Sequence, residues 1–172
     1  KKFKIDSRLN LDIDDEKWFR LFLYKSCFNH CAKFILLRYM EDNHYINKKL
    51  NTEGIEKWND FVKNIASDYE MLYLVAINDI KSESKVEIKD IFKDSDYDIF
   101  SIDNELGAIL INGFLEIDFT HIDEEGLIQI FRLIYSLEQR EELGLEYFYK
   151  EAPALSYILG LDSNKQKDDI VI

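Results

Sequence analysis

The sequence predicts a mainly α-helical bundle around one long central helix near the N-terminus, with a small β element between residues 83 and 120 as the one departure from helix. Three observations carry this. Apolar residues make up 47% of the chain, with 12 Phe and 10 Tyr, too many for a disordered protein and enough for a sizeable core. Only six Gly and one Pro occur in 172 residues, too few for the many tight turns of a sandwich or barrel. The stretch EKWFRLFLYKSCFNHCAKFILLRYMED, residues 16–42, is apolar on most of its faces, as a helix in the middle of a domain should be.

The elements follow in order. Residues 1–13 read as an N-terminal arm, residues 14–160 as the helical domain and residues 161–172 as a tail. Asp14 or Asp15 caps the long helix, and Glu16 suits its positive end. Its expected buried residues include Trp18, Phe19, Phe22, Leu23, Cys27, Phe28, Cys31, Phe34, Ile35 and Leu37, and Asn43 is its C-terminal cap. After a polar connection, a second helix over about 54–66 buries Ile55, Trp58, Phe61, Val62 and Ile65. SDYE fits a capping box, with Ser67 as cap and Glu70 reaching back. The helix it opens, about 68–82, turns Met71, Leu72, Leu74, Val75 and Ile77 inward.

Residues 83–103 are acidic and broken, and ELGAILINGFLEIDF (105–119) fits helix or strand equally, because short apolar runs do not reveal their period. Next comes the clearest local signal. Asp123 caps a helix, Ile122 and Leu127 are spaced for a hydrophobic staple, and Leu127, Ile130, Phe131, Ile134 and Leu137 form its stripe. Gly144 marks a stop, and residues 145–160 read as a last helix interrupted at Pro153.

Net charge is −12, unevenly spread. Residues 1–51 hold 11 basic and 7 acidic side chains, a balance of +4, and residues 52–172 hold 11 and 27, a balance of −16. Such a domain repels nucleic acid as a whole, and any phosphate contact must come from a local basic face in the first segment. No apolar run is long enough for a signal peptide or a membrane span, and no membrane association is expected. Two cysteines make no disulfide scaffold, and a cytoplasmic location is expected. The first residue is Lys1 rather than Met, so a longer parent protein is expected.

KSCFNHCAKF places Cys27, His30 and Cys31 on one helical face. A structural zinc needs a fourth ligand, and His44 and His121 stand apart. Core packing is therefore preferred, with a metal site as the alternative. VEIKD holds Glu87-x-Lys89, read as solvated surface; the alternative, with Asp79 or Asp68 as an earlier acid, is the pattern of a metal-dependent nuclease. No phosphate loop, nucleophile elbow or EF-hand spacing occurs.

Two stretches carry a family resemblance. In FNHCAKFILLRYMEDNHYI (28–46), Leu37, Arg38, Tyr39, Met40, Glu41 and Asp42 match an LRFLED-type helix ending. In LEIDFTHIDEEGLIQIFRLIYSLEQREELGLEYFY (115–149), Ile117, Asp118, Phe119, Thr120, Ile122, Asp123, Leu143, Gly144 and Tyr147 match an IDFS-x-ID lead-in and an LG-x-x-YE turn, with Phe148 in place of the glutamate. This order resembles the helical N-terminal region of adenine-N6 DNA methyltransferases from restriction-modification and phage-defence systems. The family's N/D-P-P-Y/F motif is absent, since the only proline is Pro153. The resemblance therefore implies a non-catalytic module that helps shape the DNA-binding cleft and docks on the catalytic domain or another subunit. It implies no cofactor in this chain, S-adenosylmethionine belonging to the catalytic domain, and DNA as ligand of the whole protein. Arg20, Lys25, Lys33 and Arg38 are the nucleic-acid contacts it suggests; alternatively Arg38 pairs with Glu41 or Asp42, and Lys25 and Lys33 are solvated. Two other classes stay open: a free-standing acidic helical protein-binding module (inhibitor, immunity protein or DNA mimic), and an independent enzyme.

Overall fold

The computed structural model describes residues 14–62, 68–82, 91–95 and 97–143. These residues form six helices: α1 (Asp15–Asp42), α2 (Thr52–Phe61), α3 (Tyr69–Ser82), α4 (Asn104–Phe114), α5 (Glu124–Ile134) and α6 (Leu137–Leu143). Among the described residues there is no strand, so the chain is mainly α and residues 104–114 resolve as helix. The Asp103 side chain caps this helix by accepting the Leu106 N–H at 2.9 Å. The expected arm, the tail and the last helix lie outside the described residues. No helix is long and apolar enough to cross a membrane.

Helix α1 is the central rod. Asp14 caps it through the Lys17 N–H at 2.8 Å. Every residue from Lys33 to Asp42 is buried, so its C-terminal half is surrounded on all sides. Aromatic rings mark the neighbours. Phe28 meets Phe131 of α5 and Tyr135 at ring separations of 6.3 and 6.0 Å. Phe34 meets Tyr73 of α3 at 6.2 Å and Phe114 of α4 at 5.2 Å. The N-terminal half is more open than its sequence suggests, and Phe19 and Leu23 face outward.

A Schellman closure ends α1. The Tyr45 N–H donates to Met40 O at 2.9 Å and the His44 N–H to Glu41 O at 3.2 Å. His44 carries the left-handed residue, with φ 61°, and Tyr45 stacks on Tyr39 at 6.5 Å. Helix α2 starts earlier than the hydrophobic pattern predicts, because Asn51 caps it by accepting the Gly54 N–H at 2.9 Å. It also ends earlier. Val62 is buried, Phe61 points to solvent, and Ile65 lies outside the described residues.

Helix α3 is capped by Asp68, which accepts the Met71 N–H at 2.8 Å; the expected cap, Ser67, is outside the described residues. The buried face of α3 is Leu72, Tyr73, Ala76 and Ile80, whereas Met71 and Leu74 are exposed. The face turns because α3 packs tightly on α4. A Cβ at Gly107 would sit 3.2 Å from Tyr69 Cβ, and the Tyr69 N–H donates to Asn104 Oδ1 at 2.8 Å. The two N-termini therefore lie side by side.

Asp123 caps α5 as the sequence predicts, accepting the Gly126 N–H at 2.8 Å. Leu127 and Phe131 are fully buried, and Ile122, Ile130 and Ile134 pack against the core. The helix stops before Leu137, which is 60% exposed on α6. Ser136 and Gln139 exchange hydrogen bonds at 3.0 and 3.2 Å, a reciprocal capping box that opens the new helix.

Candidate functional site

Helix α1 carries polar side chains into the interior at two places and ends beside a surface groove. The first place is the seam with residues 91–100. Asp98 is its hub. It accepts from Lys33 Nζ with both oxygens at 2.9 Å, from Asn29 Nδ2 at 2.7 Å and from the Ser95 N–H at 2.7 Å. Burial opposes its ionisation, but the Lys33 ammonium, the Ser95 N–H and the Asn29 amide outweigh it and hold the carboxyl below its ordinary range. Lys33 is 7% exposed and also donates to Lys93 O at 3.2 Å, so it is an internal tie rather than a solvated side chain. Lys25 is half-buried, its ammonium 4.9 Å from the Tyr97 ring centre.

His30 lies in the same seam, its ring 4.4 Å from that of Phe100 and its Nε2 4.0 Å from Asp98 Oδ1. Burial above all, helped by the Lys33 charge, lowers its pKa against the pull of Asp98, so the ring is neutral at physiological pH. Cys27 and Cys31 are half-buried free thiols whose pKa values burial pushes up, which makes them poor nucleophiles. Among the described residues no three His, Cys, Asp or Glu side chains are grouped to hold a metal ion, the Cys27, His30 and Cys31 trio included.

The second place is the C-terminal turn of α1. Arg38, 2% exposed, donates through Nη1 to Phe114 O at 2.9 Å and through Nη2 to Ile117 O and Asp42 Oδ2, both at 3.1 Å. It thereby closes the carbonyl end of α4. Asp42 also accepts the Phe119 N–H at 3.2 Å, and Asn43 Nδ2 donates to Phe119 O at 3.1 Å. Glu41 is fully buried and accepts the N–H groups of Leu50 at 2.9 Å and Asn51 at 3.1 Å through Oε2. Burial raises its pKa to about 7 against these hydrogen bonds and the Arg38 charge. Beside it, a cavity of about 10 Å³ reaches Lys49 and Asp79, close to the room a single water needs.

Of the four suggested nucleic-acid contacts, Arg38 and Lys33 are therefore buried in internal pairs, Lys25 lies over Tyr97, and Arg20 is exposed. They form no common face. Asp79 pairs with Lys49, and Glu87 and Lys89 lie outside the described residues.

The surface groove was not legible in the sequence. It is open, about 730 Å³, and is lined by His44, Tyr45, Asn47, Lys48, Glu53 and Lys57. Lys48 and Lys57 both reach Glu53, at 2.9 and 2.7 Å. Hydrogen bonds from Lys57 and then Lys48 hold the Glu53 carboxyl down at about 2. The one sequence signal was the cluster of aromatic and basic residues in HYINKK, directly after the cap of the long helix.

No family model, curated protein or solved structure matches the chain.

Proposed function

We propose that this chain is the non-catalytic helical N-terminal module of a DNA adenine methyltransferase or restriction-modification protein, helping to form the DNA-binding cleft and docking on the catalytic domain or another subunit. The observation that supports it is the joint between the two stretches that resemble that family. Arg38, Asp42 and Asn43 from the LRYMED-N stretch bond to Phe114, Ile117 and Phe119, across the lead-in to IDFTHID. Two separate sequence similarities thus serve one buried contact, which gives a shared helical domain a physical reason to keep both. S-adenosylmethionine and the reaction belong to the catalytic part.

The downstream reading frame tests this directly. A continuation past Ile172 into a glycine-containing cofactor loop and an N-P-P-Y-like motif, or a neighbouring methyltransferase gene whose product copurifies with this chain, is the expected result. A stop codon with no such neighbour overturns the reading. It would favour the second one, a free-standing acidic module that binds a protein, which rests on the −16 balance over residues 52–172. That module would compete with DNA for a basic partner, and competition would be lost in high salt.

A further inference from the structure

We propose that the groove at the end of α1 takes a nucleotide unit of a nucleic-acid strand, with a base on Tyr45 and its phosphate at Lys48 and Lys57. The inference rests on the reading of the chain as a DNA-cleft module, and it moves the contact away from Arg38 and Lys33, which the interior has used. Three features converge there. Tyr45 is 42% exposed yet held in place, its N–H bonded to Met40 O and its ring stacked on Tyr39 at an interplanar angle of 25°. A ring fixed before binding offers a stacking face at little entropic cost. The ammonium groups of Lys48 and Lys57 already meet on one carboxylate, Glu53, so their reach coincides where a phosphate oxygen would sit. Two cations on one anion leave a net positive charge. His44, Tyr45, Asn47 and Lys48 of the groove come from the end of the chain's basic segment, and at about 0.1 M salt charges beyond roughly 10 Å are screened. Asn47 lines the same groove and adds an amide for a base edge or a phosphate.

The test is fluorescence anisotropy of a labelled oligothymidylate of roughly 12 nucleotides with the full chain at about 0.1 M salt. Tyr45→Ala should weaken binding roughly 5- to 150-fold, the range of base–aromatic stacking. Lys48→Ala and Lys57→Ala should each weaken it as well. Glu53→Gln should strengthen it, by freeing both ammonium groups for the phosphate. Lys17→Ala, at the opposite end of α1 from the groove, should leave it unchanged. Circular dichroism of each variant should match the wild type, as expected for exposed side chains.

No binding by the wild-type chain overturns the proposal. So does binding that ignores Tyr45→Ala and Glu53→Gln but falls with Lys17→Ala, which is the signature of diffuse charge. Thymidine monophosphate competing as well as the strand would assign the groove to free nucleotides and overturn the strand assignment. The methyltransferase reading fails separately, on the downstream reading frame, whatever the groove does.

Discussion

Arg38 is buried at the end of α4. Its substitution by Ala leaves the buried Asp42 carboxylate without its cation and takes a donor from the part-buried carbonyls of Phe114 and Ile117. Breaking a buried pair from one side costs about 3–5 kcal/mol, so Arg38→Ala should lose that much in urea unfolding. Arg38→Lys should recover only part of it, because one ammonium cannot make the same fork of bonds. Glu41 gives a pH signature of the opposite kind from ordinary acid denaturation. Its carboxyl is raised from 4.5 to about 7 in the fold, so the folded protein holds that proton more tightly than the unfolded chain. The resulting stabilisation is fully present below about pH 4.5, shrinks as pH rises, and is gone above about pH 7. A shift of this size corresponds to about 3 kcal/mol. Glu41→Gln mimics the protonated form and should flatten that slope. The comparison of the two proteins between pH 5 and 8 by thermal unfolding isolates the effect from Asp98, whose lowered pKa removes stability only in more acid solution. Equal slopes in the two proteins would show that Glu41 is charged throughout. The charges at Lys33, Arg38, Glu41 and Asp42 were visible in the sequence, but their burial was not, since a charged residue is by default read as solvated.

At the scale of the elements, end chemistry sets helix lengths more firmly than hydrophobic period does. The cap Asp123 could be read from sequence, and the first cap narrowed to Asp14 or Asp15, because each is an acid directly before an apolar pattern; the structure gives Asp14. The cap Asn51 was missed because it stands in a polar run without a hydrophobic frame, and the Ser136–Gln139 box because a continuous stripe seemed to run through it. His44 is an exposed left-handed cap without glycine. His44→Gly should raise stability by about 1 kcal/mol, by relieving the Cβ of that conformation; a lower melting temperature would mean that the His44 side chain has a compensating role. Gly54 is the reverse case. A Cβ there would meet the backbone of Lys49 at 2.4 Å, and backbone cannot move aside cheaply. Gly54→Ala should cost about 1–3 kcal/mol and, by pushing α2 off the turn, should change Trp58 fluorescence. Unchanged stability and spectrum would contradict the close approach.

On the scale of the molecule, one core cluster links all five longer helices through α1. The rod spans about 42 Å at 1.5 Å per residue, with Trp18 near its start and α2, carrying Trp58, at its far end. Such a plan should unfold as one cooperative unit. Leu37, fully buried in the rod, is the place to test it. Leu37→Ala should remove about 2–5 kcal/mol, and the Trp18→Phe and Trp58→Phe versions, each with one reporter left, should melt at the same midpoint as helical circular dichroism. A Trp58 transition well ahead of the others would make α2 a separately unfolding element instead.

The sequence by itself determined the helical class, the long rod and its place in the chain, the caps Asn43 and Asp123, and the first cap to within the pair Asp14 and Asp15, because each depends on residue spacing within a few turns. Only the tertiary structure decided which charged residues are buried, that residues 104–114 are helix, which face of α3 turns inward, and that Tyr45, Lys48 and Lys57 share one groove. The buried charges depend on partners far away in the chain, Asp98 for Lys33 and Phe119 for Asp42, and local patterns carry no record of distant partners; the groove depends on the closing turn of α1, which sets side chains from 44 to 57 around one space.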